Sequence, residues 1–201
     1  MIAIIDYDAG NVKSVSKALE KIGLDTVLTS DRAVINASRA MILPGVGSFG
    51  KAMENLQKLD LVDCIQNNVK KGKFFLGICL GMQMLFDVSY EDGEWPGLGL
   101  IGGSVRRFDP GLKIPHMGWN ALIKNREDAI GRQISSGEFV YFVHSYYAQM
   151  QDWQDVVYYA EYGVNVPAVV RKDNVIGMQF HPEKSSDCGI QLLKNFGELI
   201  R

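Results

Sequence analysis

The first part of the chain alternates between short, continuous apolar runs and longer segments with helical spacing. Four runs have the length and composition of strands that are covered on both faces: residues 2–5, 26–28, 40–43 and 74–78. Between them, apolar residues recur every three or four positions, at Val12, Val15, Leu19 and Ile22 and at Leu61, Ile65 and Val69. This β-α-β-α order predicts a mostly parallel sheet with right-handed crossovers and helices on its faces.

Residues 91–175 form a second region, whose segments are shorter, richer in glycine and aromatic residues, and without strong helical periodicity. Three short runs predict antiparallel strands added to the sheet: residues 139–143, 156–161 and 168–171. The parallel pattern returns at residues 175–180, and the chain closes with a helix from about Asp187. We therefore expect one α/β domain over residues 1–201, in which a mostly parallel central sheet is flanked by helices and extended by an antiparallel portion.

The composition is that of an ordinary globular protein, with 47% hydrophobic and 22% charged residues. The formal net charge of −2 is accompanied by no polybasic run, which argues against nucleic acid or an anionic membrane as a partner. No apolar stretch is long enough to span a bilayer, and the N-terminus lacks the pattern of a secretion signal. We therefore expect a cytoplasmic protein.

Six residues could bind a metal or serve as nucleophiles and bases: Cys64, Cys79, Cys188, His116, His144 and His181. An odd, sparse set of cysteines is not a disulfide framework and suits a reducing compartment. Neither the cysteines nor the histidines have the close spacing of a zinc site. We expect neither a metal nor a cofactor.

Cys79 lies in the pattern Gly-Ile-Cys-Leu-Gly at residues 77–81, between a buried strand and the helical run at residues 82–86. This is the nucleophile-elbow pattern with cysteine in place of serine. A strand that turns at once into a helix brings backbones close together, so that side chains at the two flanking positions would clash. The turn exposes the sulfur at the helix N-terminus, which favours the thiolate, and leaves the N–H of Leu80 free for an oxyanion.

The alternative is a buried structural cysteine between two packing glycines, because cysteine is among the most buried residue types. Glycines at positions i−2 and i+2 of a strand–helix junction favour the functional interpretation for Cys79. Cys64 and Cys188 lie in helical segments without such flanks, and for them we keep the structural interpretation.

His181, Pro182 and Glu183 follow the strand predicted at residues 175–180. Pro182 biases His181 toward an extended conformation, in which residues i and i+2 point the same way and Glu183 lies beside the imidazole. Such a carboxylate fixes the tautomer and stabilises the imidazolium. The pattern is weak alone, but Cys79 and His181 both lie at the carboxyl ends of predicted strands, where functional residues of open parallel sheets gather.

The pattern Pro-Gly-Val-Gly at residues 44–47 also follows a buried strand. Taken alone it is an ordinary turn. Beside a cysteine elbow, its two glycines permit a peptide orientation that aims an N–H at a ligand, so it is a candidate for the second half of an oxyanion hole. A cysteine nucleophile with a histidine base performs acyl transfer through a thioester. Amide, ester and peptide hydrolysis all remain open at this point.

Two blocks resemble the class I (triad) glutamine amidotransferases, in the same order and about a hundred residues apart: Gly-Ile-Cys-Leu-Gly-Met-Gln at residues 77–83 and Gln-Phe-His-Pro-Glu at residues 179–183. Further blocks resemble the branch of that family that supplies the glutaminase subunit of imidazole glycerol phosphate synthase: Tyr-Asp-Ala-Gly-Asn at 7–11, Pro-Gly-Val-Gly-Ser-Phe at 44–49, His-Met-Gly-Trp-Asn at 116–120, His-Ser-Tyr at 144–146 and His-Pro-Glu-Lys-Ser at 181–185. The resemblance covers essentially the whole chain and implies a flavodoxin-like fold.

The resemblance implies an enzyme that hydrolyses L-glutamine to L-glutamate and ammonia through a thioester on Cys79. His181 would be the general base and acid, and Glu183 its orienting partner. The ammonia would pass to a separate (β/α)₈ cyclase subunit that makes imidazole glycerol phosphate and AICAR, so that the chain is one half of a heterodimeric, lyase-type synthase of histidine biosynthesis.

The resemblance also implies roles for residues outside the triad. Those of the oxyanion hole are Val46, Gly47 and Leu80. Those that bind the substrate are Gln83, Ser145 and Tyr146. Those at the face that meets the cyclase are Asn11, Trp119, Asn120 and Lys184.

Three other interpretations remain. A paralogous glutaminase that feeds another synthase, such as a sugar-amidating enzyme, would have the same triad, and only the surroundings of Trp119 and Lys184 favour histidine biosynthesis. A free-standing cysteine hydrolase of γ-glutamyl compounds would need an acceptor site or substrate domain for which no chain is left over. A non-catalytic binding module would not need to retain the three residues of the triad.

Overall fold

The computed structural model describes residues 1–8 and 10–201; Ala9, inside the first block, lies outside these ranges. Within them the strands are β1 (Ile2–Ile5), β2 (Thr26–Thr29), β3 (Ala40–Gly45), β4 (Phe74–Cys79), β5 (Val88–Ser89), β6 (Trp95–Pro96), β7 (Gly103–Arg107), β8 (His116–Ala121), β9 (Ile123–Lys124), β10 (Phe139–His144), β11 (Tyr146–Met150), β12 (Val156–Glu161), β13 (Asn165–Lys172) and β14 (Val175–Met178). The helices are α1 (Val12–Lys21), α2 (Arg32–Ala37), α3 (Phe49–Lys58), α4 (Leu61–Lys70), α5 (Leu80–Gln83) and α6 (Ser186–Leu199). Short 3₁₀ turns occur at Ala129–Gly131, Trp153–Asp155 and Pro182–Lys184.

The central sheet has the strand order β2-β1-β3-β4-β14-β13-β12-β9. The first five strands of this order are parallel, and β13, β12 and β9 continue the sheet in antiparallel pairing. The predicted mostly parallel sheet with an antiparallel extension is therefore confirmed. That residues 1–201 form one domain stays a prediction.

Two smaller sheets lie outside the central one. Strands β8 and β10 form an antiparallel ribbon, and β11, β7, β5 and β6 form a four-stranded sheet. Apart from β5 (Val88–Ser89), their strands belong to the second region, whose short segments gave little indication of pairing partners. These additions supply the part of the molecule that faces the ends of the parallel strands.

Alternating side chains of the parallel strands build a core on each face of the sheet. On one face, Ile4, Ile42 and Ile78 pack with α1 and α6, and on the other, Ile5 and Leu43 pack with α3 and α4. Because both faces are covered, these strands are apolar at every position, which is the pattern that predicted them. No helix among the described residues is long and apolar enough to cross a membrane.

Several predicted boundaries were wrong. The strand at residues 40–43 continues through Pro44 to Gly45, because both residues pair with the end of β4. The helix at residues 82–86 is a single turn that begins at Leu80. The strand at residues 175–180 ends at Met178. Neither α2 nor α3 was predicted: α2 buries one side chain, Ile35, and α3 starts directly after the Pro-Gly-Val-Gly block.

Candidate active site

Cys79 is the last residue of β4, and its backbone has a positive φ of 54° with a ψ of −110°. Such a φ is strained for a residue other than glycine and marks positions that the surrounding structure enforces. A Cβ atom on Gly81 would overlap the carbonyl of Leu43, and one on Gly77 would overlap the carbonyl of Gly81. The close approach that was expected from the two glycines is therefore present, and it holds the cysteine on a sharp turn.

His181 follows β14, the strand next to β4 in the sheet. The parallel register aligns Gly177 with Gly77 and Met178 with Ile78, so the two strands end side by side. Nδ1 of His181 lies 2.9 Å from Oε1 of Glu183, and both side chains are 1% exposed. The pair thus forms as predicted, by a different local geometry: His181 is extended, but Glu183 reaches it through the 3₁₀ turn Pro182–Lys184 rather than along a strand.

His181 and Glu183 form an ion pair because their interaction with each other, and that of His181 with Cys79, outweighs burial. Burial alone would lower the pKa of His181, but Cys79 and Glu183 together raise it to about 9. Burial would likewise raise the pKa of Glu183, and the hydrogen bond and charge of His181 bring it below its ordinary value instead. Since Nδ1 bonds to Glu183, Nε2 is the ring nitrogen left for the thiol and the substrate. Among the described residues neither this Nε2 nor Oε2 of Glu183 has a hydrogen-bond partner.

Asn11 contacts the triad directly. It precedes α1 in a left-handed conformation, with φ 73°, and its amide donates a short hydrogen bond to Oε1 of Glu183. The resemblance implies a place at the partner face for Asn11, which stays a prediction; the structure adds a contact of its side chain with the Glu183 carboxylate. No local pattern indicated this contact, because the two residues are 172 positions apart.

A cavity of about 380 Å³ opens beside the cysteine, a volume typical of small-molecule sites. It is lined by Val46, Gly47, Cys79, Leu80, Gln83, Glu91, Pro115, Val143, His144, Ser145, Tyr146 and His181. The structure therefore brings all the predicted oxyanion and substrate-binding residues to one space with Cys79 and His181. Glu183 lies behind His181.

Amide side chains connect the cysteine turn to the opposite wall. Nε2 of Gln83 donates to the carbonyl oxygen of Tyr146 at 2.8 Å and to Oε1 of Gln179 at 3.1 Å. Nε2 of Gln179 in turn lies 4.0 Å from the sulfur of Cys79. Gln179 opens the second block of the resemblance, but its contact with the thiol was not predicted.

The end of β3 runs past the cysteine, with Gly45 paired to Cys79. The hydroxyl of Tyr7 donates to the carbonyl of Pro44 at 2.8 Å and fixes this end. Gly47 then has φ 111°, a value that side-chain-bearing residues rarely adopt. As the first residue of α5, Leu80 has an N–H without an acceptor inside that helix.

Glu91 is a cavity residue that sequence reasoning missed. Its Oε2 accepts a hydrogen bond of 2.8 Å from the N–H of Phe49 at the start of α3. Burial raises the pKa of Glu91, an effect that the bond from Phe49 opposes and the charge of Asp92 reinforces. Glu91 belongs to no recognisable block, and only the folded chain brings it to the cavity.

The residues predicted for the partner face fall into two groups. Trp119 and Lys184 are exposed. Asn120 is half-buried, and its Nδ2 donates within the chain to the carbonyl of Glu161 at 3.0 Å. Asn11, as described, lies on the triad. Within residues 1–8 and 10–201, no group of three or more His, Cys, Asp or Glu side chains is arranged to hold a metal ion.

The model of the family described as glutamine amidotransferase class-I matches residues 3–199. The chain belongs to the class I glutamine amidotransferase family. Its likeness to individual members extends over the full length. It is 48% identical over 201 residues to the imidazole glycerol phosphate synthase subunit HisH of Caldanaerobacter subterraneus subsp. tengcongensis, which covers 100% of this chain and 99% of the relative.

Other relatives and solved structures agree. The HisH subunit of Oceanobacillus iheyensis is 46% identical over 201 residues, which cover 100% of this chain and 100% of that relative. A HisH subunit from Bacillus cereus is 52% identical over 200 residues, which cover 100% of this chain and 95% of that relative. A structure of PurLQS from Thermotoga maritima matches with a TM-score of 0.78 at 22% identity, over 100% of this chain and 98% of that one. A glutamine amidotransferase crystal structure matches with a TM-score of 0.77 at 19% identity, over 98% of this chain and 100% of that one.

These likenesses confirm the predicted fold class, the predicted membership among glutamine amidotransferases and the placement with the HisH-type glutaminase subunits. The two structural matches bear on the fold alone. The sequence and structure matches concern the chain as a whole, so the roles of the triad, the oxyanion hole and the substrate contacts are proposals.

Proposed function

We propose that this family member is the glutaminase subunit of imidazole glycerol phosphate synthase and that Cys79, His181 and Glu183 are its catalytic triad. The observation that carries this proposal is the strained Cys79 turn next to a buried His181–Glu183 ion pair at the same cavity. A cysteine sulfur beside an imidazolium supplies a nucleophile and a proton donor.

The reaction begins with attack of the Cys79 sulfur on the side-chain amide carbon of glutamine. The N–H groups of Leu80 and of the Val46–Gly47 peptide donate hydrogen bonds that stabilise the negative charge developing on the amide oxygen. His181 then donates the Nε2 proton to the leaving nitrogen, so that ammonia departs and a thioester remains. Water attacks the thioester with His181 as base, which releases glutamate and restores the thiolate.

The cavity has groups that suit the amino-acid end of glutamine. The carboxylate of Glu91 offers a partner for the ammonium group, and the backbone around Ser145 and Tyr146 offers N–H groups for the carboxylate. Gln83, tied to the Tyr146 carbonyl, fixes the distance between that backbone and the cysteine turn. These groups share one cavity with Cys79, which supports an amino acid with a terminal amide as the substrate.

This chain has an exposed apolar surface next to the triad, at which a partner subunit would bind. Met117, Trp119 and Phe139 project from one face of the β8–β10 ribbon, and each is more than half exposed. Tyr141 on the same ribbon accepts a hydrogen bond of 3.1 Å from the N–H of His181 through its carbonyl. A (β/α)₈ cyclase bound to this ribbon would lie beside the catalytic histidine, in the cytoplasm, and would receive the ammonia.

The test is glutamate production by the chain alone, with the cyclase, and with the cyclase plus its nucleotide substrate. We expect the rate to rise at each step, because cyclase closure favours the peptide orientation that completes the oxyanion hole, a donor worth about 10²–10³ in rate. Equal rates in the three arms would refute this activation. No binding to the cyclase would favour the paralogous glutaminase that feeds another synthase.

A matched pair of glycine variants isolates the oxyanion peptide. Gly47 and Gly137 both have a positive φ, of 111° and 96°, and open space where a Cβ would lie. Gly47→Ala should reduce the cyclase-activated rate more than the resting rate, whereas Gly137→Ala, at a residue that does not line the cavity, should leave both rates unchanged. Equal effects of the two substitutions would count against a role for the Val46–Gly47 peptide.

A further inference from the structure

Two buried histidines that the reaction does not use, His116 and His144, are hydrogen-bonded to each other. Nδ1 of His116 lies 3.0 Å from Nε2 of His144, and Nδ1 of His144 lies 2.7 Å from the carbonyl oxygen of Tyr146. At the other end, Nδ2 of Asn120 lies 3.3 Å from Nε2 of His116. These contacts form one continuous chain, Asn120–His116–His144–Tyr146, from the ribbon to the cavity wall.

The chemistry of the two ends fixes the direction of every bond in this chain. A carbonyl oxygen only accepts, so Nδ1 of His144 carries the proton and its Nε2 accepts from Nδ1 of His116. Nε2 of His116 must then accept from Asn120, whose Nδ2 only donates. The chain therefore exists only when both histidines are neutral and both are protonated on Nδ1.

The surroundings of the pair agree with this state. Burial lowers the pKa of His116 to about 4 and that of His144 to about 3, the latter against the effect of the Tyr146 carbonyl. The His116 ring stacks between Phe142 and Tyr162, with centroid distances of 4.6 and 4.0 Å. The rings are thus held in place by packing as well as by hydrogen bonds.

The chain ends at a group that matters for substrate binding. The Tyr146 carbonyl accepts from His144 and from Gln83, so it is clamped between the histidine pair and the helix that follows Cys79. Asn120, at the other end, is itself held, because its Nδ2 donates to the Glu161 carbonyl at 3.0 Å and its Oδ1 accepts from the N–H of Ala121 at 2.8 Å.

We infer that His116 and His144 are positioning residues that fix the Ser145–Tyr146 backbone for the amino-acid end of glutamine and join it to Asn120 on the β8–β10 ribbon. This inference rests on the proposed function for the identity of the substrate. It goes beyond it by assigning a role to two residues that do not touch the reacting atoms. Their effect falls on substrate binding and not on the chemical step.

The first test observes the ring nitrogens by NMR in the full chain, labelled with ¹⁵N in histidine. Only three histidines are present in the sequence, so three single substitutions assign every signal. At pH 7 we expect His116 and His144 to be neutral with the proton on Nδ1. A proton on Nε2 of either ring, or a protonated ring at this pH, would overturn the hydrogen-bond chain. This outcome does not depend on whether glutamine is the substrate.

The second test separates KM from kcat in the glutaminase assay with the cyclase present. His144→Ala removes one bond to the Tyr146 carbonyl and should raise KM for glutamine about five- to tenfold with little change in kcat. His144→Asn places an amide N–H near the position of Nδ1 and should recover most of that loss.

Phe108→Leu is the matched control. The Phe108 ring contacts both histidines, with centroid distances of 6.1 and 5.3 Å, but it makes no side-chain hydrogen bond in the chain. An equal rise in KM in Phe108→Leu, an unchanged KM in His144→Ala, or a fall in kcat alone would each overturn the inference. An inactive wild-type complex would count against the proposed function, and the NMR result would still decide the hydrogen-bond chain.

Discussion

The cavity has one wall built from the ends of β4 and β14 and an opposite wall built from β10 and β11, and each wall contains a buried histidine. His181 has a pKa raised to about 9, whereas His144 has a pKa lowered to about 3. Their exposure differs little, at 1% and 7%. Burial lowers the pKa of both rings. At His181 the thiol of Cys79 and the carboxylate of Glu183 outweigh burial, whereas the carbonyl that His144 faces does not. A buried imidazole is therefore charged only where a partner of opposite charge outweighs its burial.

Removing the thiol should have the largest effect on this contrast. Cys79→Ala should lower glutamine turnover by about 10⁴-fold or more, because the nucleophile is lost. It should also lower the pKa of His181, because Cys79 is one of the two groups that raise it. Steady-state kinetics and an NMR titration of His181 measure the two effects.

Cys188→Ala is the control for that substitution and should leave glutamine turnover unchanged, because Cys188 does not line the cavity. Cys188 is buried in α6, where burial raises the pKa of its thiol to about 12, so it should not react with an electrophilic glutamine analogue. Peptide mapping after labelling should find the analogue on Cys79. Label on Cys188 or Cys64 with Cys79 untouched would show that the nucleophile is wrongly assigned.

Removing the charge of Glu183 breaks the contrast from the other side. Glu183→Gln keeps the shape and should lower turnover by about 10²–10⁴-fold, less than Cys79→Ala, because an orienting group is not a reacting one. The pKa of His181 should fall well below 9 in the same variant. A variant as inactive as Cys79→Ala, or a His181 that still titrates near 9, would contradict a purely orienting and charge-stabilising role.

The two walls should also impose opposite pH dependences on stability. The pKa values of His116 and His144 lie below the unfolded value of about 6.5, so the unfolded chain takes up protons first and stability falls as the pH drops from 6.5 toward 4. The pKa of His181 lies above the unfolded value, so its contribution is complete below about pH 6.5 and is lost as the pH rises through about 9.

Urea unfolding between pH 4 and 9 tests this difference. Two histidines give an acid-side slope of up to about 2.7 kcal/mol per pH unit. His144→Asn removes one of them and should reduce the slope by about half. An unchanged acid slope in that variant would mean that carboxyl groups, and not the histidine pair, set the acid stability.

Asn11 should have the smallest effect of these residues. Asn11→Ala removes one hydrogen bond to Glu183 and should lower kcat about fivefold. Asn11→Gly should lower kcat equally but be about 1 kcal/mol more stable than Asn11→Ala, because the backbone is left-handed there. Unequal activities in the two variants would show that backbone strain, and not the side-chain contact, matters for turnover.

The sequence predicted those features that depend on local patterns. Continuous apolar runs indicated the parallel strands, and the glycines around Cys79 and the Pro182 after His181 indicated the ends at which chemistry occurs. It did not predict contacts between distant segments, such as Asn11 with Glu183 or His116 with His144, because these depend on tertiary packing and on the register of paired strands. The helix α2 was missed for a related reason, since a six-residue helix with one buried side chain has no detectable period.

The adjacency of β4 and β14 separates reactivity from recognition. Four pairs of residues align β4 with β14 and so set the distance between nucleophile and base. In the chain, the segment from β5 to β13 lies between these two strands. Changes in this segment, which contains Glu91, Ser145 and Tyr146, can alter what the cavity and the ribbon bind, while the reacting pair keeps its place at the ends of β4 and β14. A chimera that carries a relative's segment between these two strands should change what binds at the ribbon and keep the arrangement of Cys79 and His181.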